Sequence, residues 1–275
     1  MIKLLPELKR ALEKRGVRHR TVQTEALEHA IHEAREAASE GEIPVVMGGD
    51  GLVGQIGGVL TGAEVPLGII PGGRGNDLAR VLGIPKDVEG AADVLATGNV
   101  RRIDVGEVNG HRFVGIASCG FDSVANRIAN EAELIGGNLV YLYAGLRTLA
   151  TWRPARFTVT VDGRRHEFSG YTVAAANNKA YGGGMFVAPH AELNDGQLDV
   201  VLIEQIGKLR YLANLPTVFK GTHVEKEGVT VLRGAEVEIE ADRPFAVYAD
   251  GDHLADLPAR VHVLPSALGV IAPPE

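Results

Sequence analysis

Two short glycine-rich segments each place an acidic residue after an apolar run. The first reads Gly48-Gly49-Asp50-Gly51, and the second, PGGRGND, runs from Pro71 to Asp77. Glycine lets the backbone approach a bound group closely, and successive N–H groups in such loops bind anions. Asp50 and Asp77 are poor direct phosphate contacts, but carboxylates are suitable ligands for Mg²⁺ beside phosphates. Arg74 can pair with phosphate oxygens. The pattern predicts a site for nucleotide phosphates and their metal ion.

The alternative for either segment alone is a tight turn that binds nothing, which is common for Gly-Gly-Asp-Gly. Two such segments after successive strands favour a shared site, because ligands of open α/β sheets lie beyond the carboxyl ends of the strands. The spacing fits neither Gly-x-Gly-x-x-Gly nor the Gly-Lys-Ser/Thr ending of a P-loop. A Rossmann dehydrogenase and a P-loop enzyme are therefore disfavoured.

The elements around these loops predict two tightly packed domains, 1–105 and 106–275. In the first, the apolar runs Ile43–Met47 and Pro66–Ile70 alternate with helical stretches, which is typical of an open parallel α/β sheet. In the second, short alternating segments and turns indicate a mostly antiparallel β-sandwich or barrel. The strands predicted from residue 100 onward are Val100–Val108, Arg112–Ile116, Ala155–Val161, Arg164–Ala176, Leu198–Glu204, Val229–Leu232, Glu236–Ala241, Phe245–Ala249 and Arg260–Leu264. Helices are predicted at Leu4–Arg15, Glu25–Glu40, Leu52–Leu60, Asn76–Leu82, Glu89–Thr97, Ser123–Leu149 and Leu209–Lys220.

Composition limits the class of partner. The formal net charge of −7 argues against nucleic acid as the main partner, because phosphate backbones require a basic face. Cys119 is the single cysteine and cannot form an internal disulfide, which favours a reducing compartment. The sequence contains no apolar run of membrane-spanning length. We expect a cytoplasmic protein that reaches a membrane only at its inner surface.

Longer motifs carry a resemblance to a known family. Gly48–Gly51, followed by PLGIIPGG and GNDLAR, resembles the diacylglycerol kinase catalytic domain in its bacterial branch, which is related to sphingosine and ceramide kinases. Further matching segments follow in the family's order: RRIDVGEVNG, FVGIASCGFDSVA, ANNKAYGGGMFVAPHAELNDGQLDVVLIE, YADGDHLADLP and VHVLPSALGVIAP. Together they cover residues 21 to 273, which is far more specific than any single motif.

The resemblance implies a fold like that of NAD kinase and diacylglycerol kinase, with the last strand returning to the first domain. It implies that ATP binds the first domain and that a lipid hydroxyl enters the cleft beside the second. The nucleotide contacts it implies are Thr24, Gly48, Gly49, Asp50, Gly51, Gly72, Arg74, Gly75, Asn76 and Asp77. It assigns Asp50, Asp77 and Asp104 to a network that organises a catalytic Mg²⁺ through water. It assigns Asp195, with main-chain oxygens of Glu192 and Gln197, to a second, structural metal.

The catalytic base is expected in the segment Asp250-Gly251-Asp252. Phosphoryl transfer needs a carboxylate near the acceptor hydroxyl. The family uses the glutamate of Asp-Gly-Glu, so Asp252 is the matching residue, one methylene shorter, with Asp250 nearby. From its residues alone, leaving the family resemblance aside, this segment is predicted to be a hairpin turn, because Asp-Gly is a strong hairpin signal.

The sequence departs from the family pattern in two further places. The family opens with a strand and an Asn-Pro phosphate loop, whereas this sequence begins with a predicted helix and lacks a match to that strand. We expect the true start to lie upstream, because losing that strand would expose a buried sheet edge. Leu52 stands where the family has threonine, and Gly54-Gln55 stands where Asn-Glu is common.

Three functions are compatible with the sequence. The main hypothesis is an ATP- and Mg²⁺-dependent lipid kinase that acts on diacylglycerol or a related lipid and contacts the membrane transiently. The departures also motivate a nucleotide-binding regulatory protein with weak or no turnover. A soluble-substrate kinase of NAD-kinase type is the third reading. Part of the stretch Ser123–Leu149, which includes Leu134 and Ile135, is a candidate to line an acyl-chain pocket or touch the bilayer. A homodimer is compatible with the sequence, which does not identify the acceptor.

Overall fold

The first domain is a small parallel sheet surrounded by helices. The computed structural model describes residues 4–131 and 139–274, and it describes no side chains between 129 and 142. Leu134 and Ile135 therefore lie outside the described residues. Strands β1 (Val45–Gly48) and β2 (Gly68–Pro71) pair in parallel, with Gly48 opposite Pro71. The helices are α1 (Leu5–Lys14), α2 (Leu27–Ser39), α3 (Asp50–Val59), α4 (Asp77–Val81) and α5 (Val88–Thr97).

This pairing brings the two glycine loops together. Both strands run in the same direction and end at the same edge of the sheet, so the loops that follow them are neighbours. All four residues of β2 are buried, and Ile69 and Ile70 lie in the core of the first domain. Gly72 N–H donates to the carbonyl of Gly48 at 2.8 Å, which continues the pairing past the ends of the strands.

The second domain is built on an antiparallel sheet. The remaining strands form an eleven-stranded sheet in the order β12-β11-β5-β7-β6-β10-β13-β3-β4, with β8 and β9 added beyond β7. These strands are β3 (Val100–Val108), β4 (His111–Phe113), β5 (Ile116–Gly120), β6 (Ala155–Val161), β7 (Arg164–Ala176), β8 (Leu198–Glu204), β9 (Val229–Gly234), β10 (Glu236–Ala241), β11 (Ala246–Ala249), β12 (Asp252–Asp256) and β13 (Ala259–Ile271). Helices α6 (Phe121–Glu131), α7 (Leu139–Thr151) and α8 (Lys208–Val218), and a short 3-10 helix (Thr222–Glu225), complete it.

The last strand connects the two domains. β13 pairs with β10 near its start and with β3 along most of its length. Near its end, Leu67 N–H donates to Gly269 O at 2.8 Å and Ile271 N–H donates to Leu67 O at 2.9 Å. Leu268 and Val270 lie in the core of the first domain. The end of β13 therefore pairs with the chain just before β2 and joins the second domain to the first.

The structure confirms the predicted two-domain architecture, an open parallel α/β domain followed by an antiparallel β domain. The predicted strand Arg112–Ile116 is wrong in its bounds, since β4 ends at Phe113 and β5 begins at Ile116. The physical reason is a long-range contact: the N–H of Val114 in the gap donates to the carboxylate of Asp250 at 2.9 Å. Within the described residues, no helix is long and apolar enough to span a membrane.

Candidate active site

A cleft joins candidate residues from both domains. Its volume is about 380 Å³. The first turns of α2 and α3 and the first residue of β12 line it. Among its lining residues are Thr24, Gly51, Leu52, Gln55 and Asp252. The structure thus brings a predicted phosphate contact, the first glycine loop and the predicted base to one opening.

The first glycine loop begins helix α3. Gly49 is the N-cap residue, and the helix starts at Asp50. The first N–H groups of a helix have no partner within it, so this end of α3 favours an anion. Leu52 lines the cleft and packs on Gly48, where an added Cβ would lie 2.9 Å from its Cδ2. The departure at Leu52 therefore supplies apolar packing where a threonine would supply a hydroxyl.

The carboxylate of Asp50 holds the two loops together. Its Oδ2 accepts a hydrogen bond from Asn76 N at 2.7 Å, and its Oδ1 accepts one from Asp77 N at 2.5 Å. Asp50 thereby caps the N-terminus of α4 and satisfies donors that were predicted to face a nucleotide phosphate. An added Cβ on Gly75 would lie 2.5 Å from Asp50 Oδ2, so this approach requires glycine. Asp50 is a positioning residue whose oxygens are already engaged by protein donors.

Asn76 shapes the second loop. Its backbone is left-handed, with φ of 53°. Its side chain accepts from Gly73 N and donates to Gly73 O, both at 2.8 Å. Arg74 is exposed at the tip of the loop. The side chain of Asn76 therefore fixes the base of the loop, and the guanidinium of Arg74 faces solvent. The nucleotide contacts assigned to Gly72, Arg74 and Gly75 stay predictions.

Asp77 is the predicted metal residue with a free oxygen. It is only 4% exposed, and its Oδ2 accepts from Gly183 N at 2.8 Å, whereas its Oδ1 has no hydrogen-bond partner. Burial is the main cause of its raised pKa, and the nearby Asp50 adds to the effect, while Gly183 and Arg80 oppose it. A buried carboxylate oxygen without a donor fits a cation or its bound water. Asp77 is therefore compatible with the predicted Mg²⁺.

The structure does not bring Asp104 to this pair. Its carboxylate is fully buried and accepts from Gly196 N at 2.7 Å and from Ser266 N at 2.6 Å. These bonds tie β3 to the loop before β8 and to β13. Across residues 4–131 and 139–274, no group of three or more His, Cys, Asp and Glu side chains converges as a metal site. The role of Asp104 in a magnesium network stays a prediction, and the hydrogen bonds of its carboxylate join β3 to neighbouring segments.

The carboxylate of Asp195, which was predicted to hold a second metal, is paired with a protein cation. Asp195 pairs with the guanidinium of Arg233, and its Oδ1 also accepts from Gln197 N at 3.0 Å. Arg233 lies opposite Asp199 in the β8–β9 pairing and donates to it at 2.8 Å. Glu192 is exposed. Arg233 therefore shares its one positive charge between Asp195 and Asp199, and the metal assignment to Asp195 with main-chain oxygens of Glu192 and Gln197 stays a prediction.

Arg233→Gln is expected to lower the free energy of unfolding by about 2 kcal/mol, because two nearby carboxylates, one of them buried, lose the guanidinium that bonds to both. Addition of Mg²⁺ should restore part of this loss in the variant. Thermal unfolding in EDTA and in Mg²⁺ measures both effects, with Arg233→Lys as the charge-preserving control. If instead the wild type gains stability from Mg²⁺ and Asp195→Asn abolishes that gain, Asp195 holds a metal after all.

Asp250 and Asp252 point to different surroundings. The carboxylate of Asp250 turns inward, where its oxygens pack against Gly54 and Gly115 and accept from Val114 N at 2.9 Å. Burial raises the pKa of Asp250 to about 7, and the charges of Asp50 and Asp252 contribute. Asp252 is exposed to the cleft and accepts from Gln55 Nε2 at 3.0 Å. Asp252 is thus the accessible carboxylate, and Asp250 positions the turn that carries it.

Asp250→Asn is expected to remove a pH dependence of stability. Burial raises the pKa of Asp250 in the folded protein to about 7 from an ordinary value of 3.8. The contribution of Asp250 to the free energy of unfolding is therefore fully present below pH 3.8 and is lost as the pH rises towards 7. The asparagine variant, which still accepts from Val114, should match the wild type at acidic pH and exceed it at pH 8 by up to about 4 kcal/mol. Urea unfolding at both pH values measures this difference. Equal slopes with pH for the two proteins would contradict the raised pKa.

Two contributors to the site were not predicted. Gln55, read only as a departure, holds Asp252 from one helical turn beyond Gly51. Arg80 donates to Gly75 O at 2.9 Å and lies 3.8 Å from Asp77 Oδ1. The spacing of three between Asp77 and Arg80 was a usable signal, because such pairs lie on one helix face.

Comparisons with known proteins agree with this geometry. The family model described as the diacylglycerol kinase catalytic domain matches residues 1–108, and that of the YegS C-terminal NAD kinase beta sandwich-like domain matches residues 115–272. A diacylglycerol kinase of Mycobacterium tuberculosis (strain CDC 1551 / Oshkosh) is 38% identical over 254 residues, covering 88% of this chain and 82% of that protein. One from Bacillus subtilis (strain 168) is 27% identical over 99% of this chain and 92% of its own length.

A solved structure supports the same assignment. The crystal structure of a candidate diacylglycerol kinase from Bacillus anthracis str. Sterne superimposes with a TM-score of 0.77 at 26% identity, covering 91% of this chain and 85% of that one. The two family models together span both domains in order, and the identity to the mycobacterial protein extends across both. The chain therefore belongs to the diacylglycerol kinase catalytic-domain family of lipid kinases.

Proposed function

We propose that this protein transfers the γ-phosphoryl group of ATP to a hydroxyl of diacylglycerol or a related lipid. The observation that carries the proposal is the shared cleft. It is lined by Thr24, by the N-terminal turn of α3 and by Asp252, whose carboxylate accepts a hydrogen bond from Gln55 of the same helix. Phosphoryl transfer requires this combination, an anion-binding backbone facing a base for the attacking hydroxyl.

Asp252 accepts the proton of the lipid hydroxyl in this proposal. The hydroxyl oxygen then bonds to the γ-phosphorus, the bond from that phosphorus to the β–γ bridging oxygen breaks, and ADP leaves with the electron pair. Gln55 orients the carboxylate through its hydrogen bond to Oδ2. The first turn of α3 and Thr24 bind phosphate oxygens, which keeps the phosphoryl group facing Asp252.

Asp77 is the residue that best fits the predicted magnesium ion. Its unpartnered Oδ1 would bind the ion or one of its waters, while Asp50 keeps the loop in place. When bound, Mg²⁺ neutralises the negative charge of the phosphates during transfer. Arg80, 3.8 Å from the same oxygen, supplies further positive charge beside Asp77.

The test is a transfer assay with labelled ATP against a panel of acceptors. Diacylglycerol, ceramide, sphingosine and monoacylglycerol are offered in detergent micelles, and NAD is offered in solution. We expect label in a lipid product separated by thin-layer chromatography. Label in NADP would favour the soluble-substrate kinase. Measurable ATP binding with no labelled acceptor would overturn the kinase proposal in favour of a nucleotide-binding regulator.

A further inference from the structure

A second cavity lies in the β domain, away from the cleft. It has a volume of about 530 Å³ and is bordered by α6, the end of α7 and strand β11. Among the described side chains that line it, none is acidic. These are Ser123, Val124, Arg127, Thr148, Thr151, Trp152, Arg153, Arg243, Pro244, Phe245, Ala246 and Tyr248. We call it the arginine cavity.

Its charge contrasts with the rest of the molecule. The chain carries a formal net charge of −7, yet Arg127, Arg153 and Arg243 all line this one cavity. Arg243 donates to the carbonyls of Arg153 and Pro154, so neutral oxygens hold it, and within the described part of the chain no carboxylate is paired with it. The cavity therefore attracts an anion.

The arginine cavity has an aromatic wall, and the threonine hydroxyls in it already donate hydrogen bonds. The Arg243 guanidinium lies 5.3 Å from the Trp152 ring centroid and 5.1 Å from that of Phe245. The hydroxyls of Thr148 and Thr151 donate to carbonyls of their own helix. The arginines and the indole N–H of Trp152, which has no hydrogen-bond partner among the described residues, are therefore the donors available in the cavity. A ligand with a charged group and an apolar body fits this arrangement.

The surface beside the cavity exposes apolar side chains. Tyr143 and Leu146 on α7 are 39% and 47% exposed, and Leu209 on α8 is 85% exposed. Lys208 Nζ donates to Ala150 O at 2.8 Å, which places the start of α8 next to the end of α7. Exposed apolar residues next to basic ones are typical of helices that lie in a membrane interface.

We infer that the arginine cavity binds the phosphate headgroup of an anionic phospholipid, with α7 and the start of α8 on the bilayer surface. Charge complementarity and the adjoining exposed leucines carry the inference. It goes beyond the proposed function, because it assigns a lipid site separate from the acceptor. Ala246 and Tyr248 of β11 line the cavity, and the next turn carries Asp252, so bilayer binding here would place the cleft close to lipid.

Vesicle co-sedimentation without ATP tests the inference and is independent of turnover. Phosphatidylcholine vesicles with phosphatidylglycerol should bind the wild type, and vesicles of phosphatidylcholine alone should not. The double variant Arg127→Gln/Arg153→Gln should bind about 30-fold more weakly, because each basic side chain at an anionic surface strengthens binding severalfold. The matched control Arg18→Gln/Arg164→Gln removes two other exposed charges and should bind like the wild type.

A second set of vesicle measurements distinguishes which phosphate-containing molecule the cavity binds. Vesicles with phosphatidic acid replace those with phosphatidylglycerol, and soluble glycerol phosphate is added as a competitor. Binding to either anionic lipid that depends on Arg127 and Arg153 supports the inference, and a preference for phosphatidic acid identifies the reaction product as the ligand. Equal binding to neutral and anionic vesicles, or equal losses in the double variant and its control, would overturn it.

Discussion

Replacing Asp252 with asparagine is expected to lower kcat for phosphoryl transfer by about 10²- to 10⁴-fold, the usual contribution of a general base. Asp252 is the carboxylate that faces the cleft, and asparagine keeps its size but cannot accept the hydroxyl proton. Affinity for ATP should change little, because the proposed phosphate contacts are Thr24 and the N–H groups of the first turn of α3, which the substitution leaves in place. Steady-state kinetics with the lipid acceptor, together with calorimetric ATP titration, measures the two effects separately.

Asp252→Glu is the matched control for this variant. It restores the carboxylate and adds one methylene, so it should keep most of the activity. Gln55→Ala removes the hydrogen bond to Oδ2 and should lower kcat about tenfold, since a single neutral–charged hydrogen bond positions the base. Asp252 is exposed, and all three variants should unfold at the wild-type urea midpoint. If Asp252→Asn keeps wild-type kcat, another group is the base.

The sequence predicted the elements that its local pattern determines. The apolar runs before each glycine loop, the helical periodicities and the alternating strands appear in the structure with shifts of a few residues. β13 was predicted only as Arg260–Leu264, because the register shift between Leu264 and Leu268 interrupts its alternation. β12 was not predicted because its pattern is that of an exposed edge strand.

The sequence predicted which residues belong to the site better than it predicted the contacts between them. The spacing placed Asp50 and Asp77 on neighbouring loops. It could not show that both carboxylate oxygens of Asp50 accept hydrogen bonds from the second loop. Similarly, Asp-Gly-Asp located two carboxylates without showing which one is buried. Arg233 lies 38 residues from Asp195 and meets it only through the β8–β9 pairing. Partners that depend on strand register are not visible in a single sequence.

Asp50→Ala is expected to have the largest effect on the assembly of the site. It removes the acceptor of Asn76 N–H and Asp77 N–H, and the loss of two charge-assisted hydrogen bonds should lower the free energy of unfolding by about 3 kcal/mol. Without this link the second glycine loop is no longer held to the first, so ATP affinity should fall at least about tenfold. Urea unfolding in EDTA and calorimetric ATP titration measure the two losses.

Two controls decide whether Asp50 acts through the loop or through a metal ion. Asp50→Asn keeps one acceptor oxygen and should lose about half of the stability that Asp50→Ala loses. Asp87→Ala removes an ordinary N-cap, where the side chain accepts from Gly90 N at 2.8 Å, and should cost about 1 kcal/mol with unchanged ATP affinity. A residue whose role is limited to metal binding contributes nothing in EDTA. Wild-type stability of Asp50→Ala in EDTA would therefore reject the positioning role, whereas a loss that persists there establishes that the carboxylate joins the two glycine loops before any nucleotide or metal arrives.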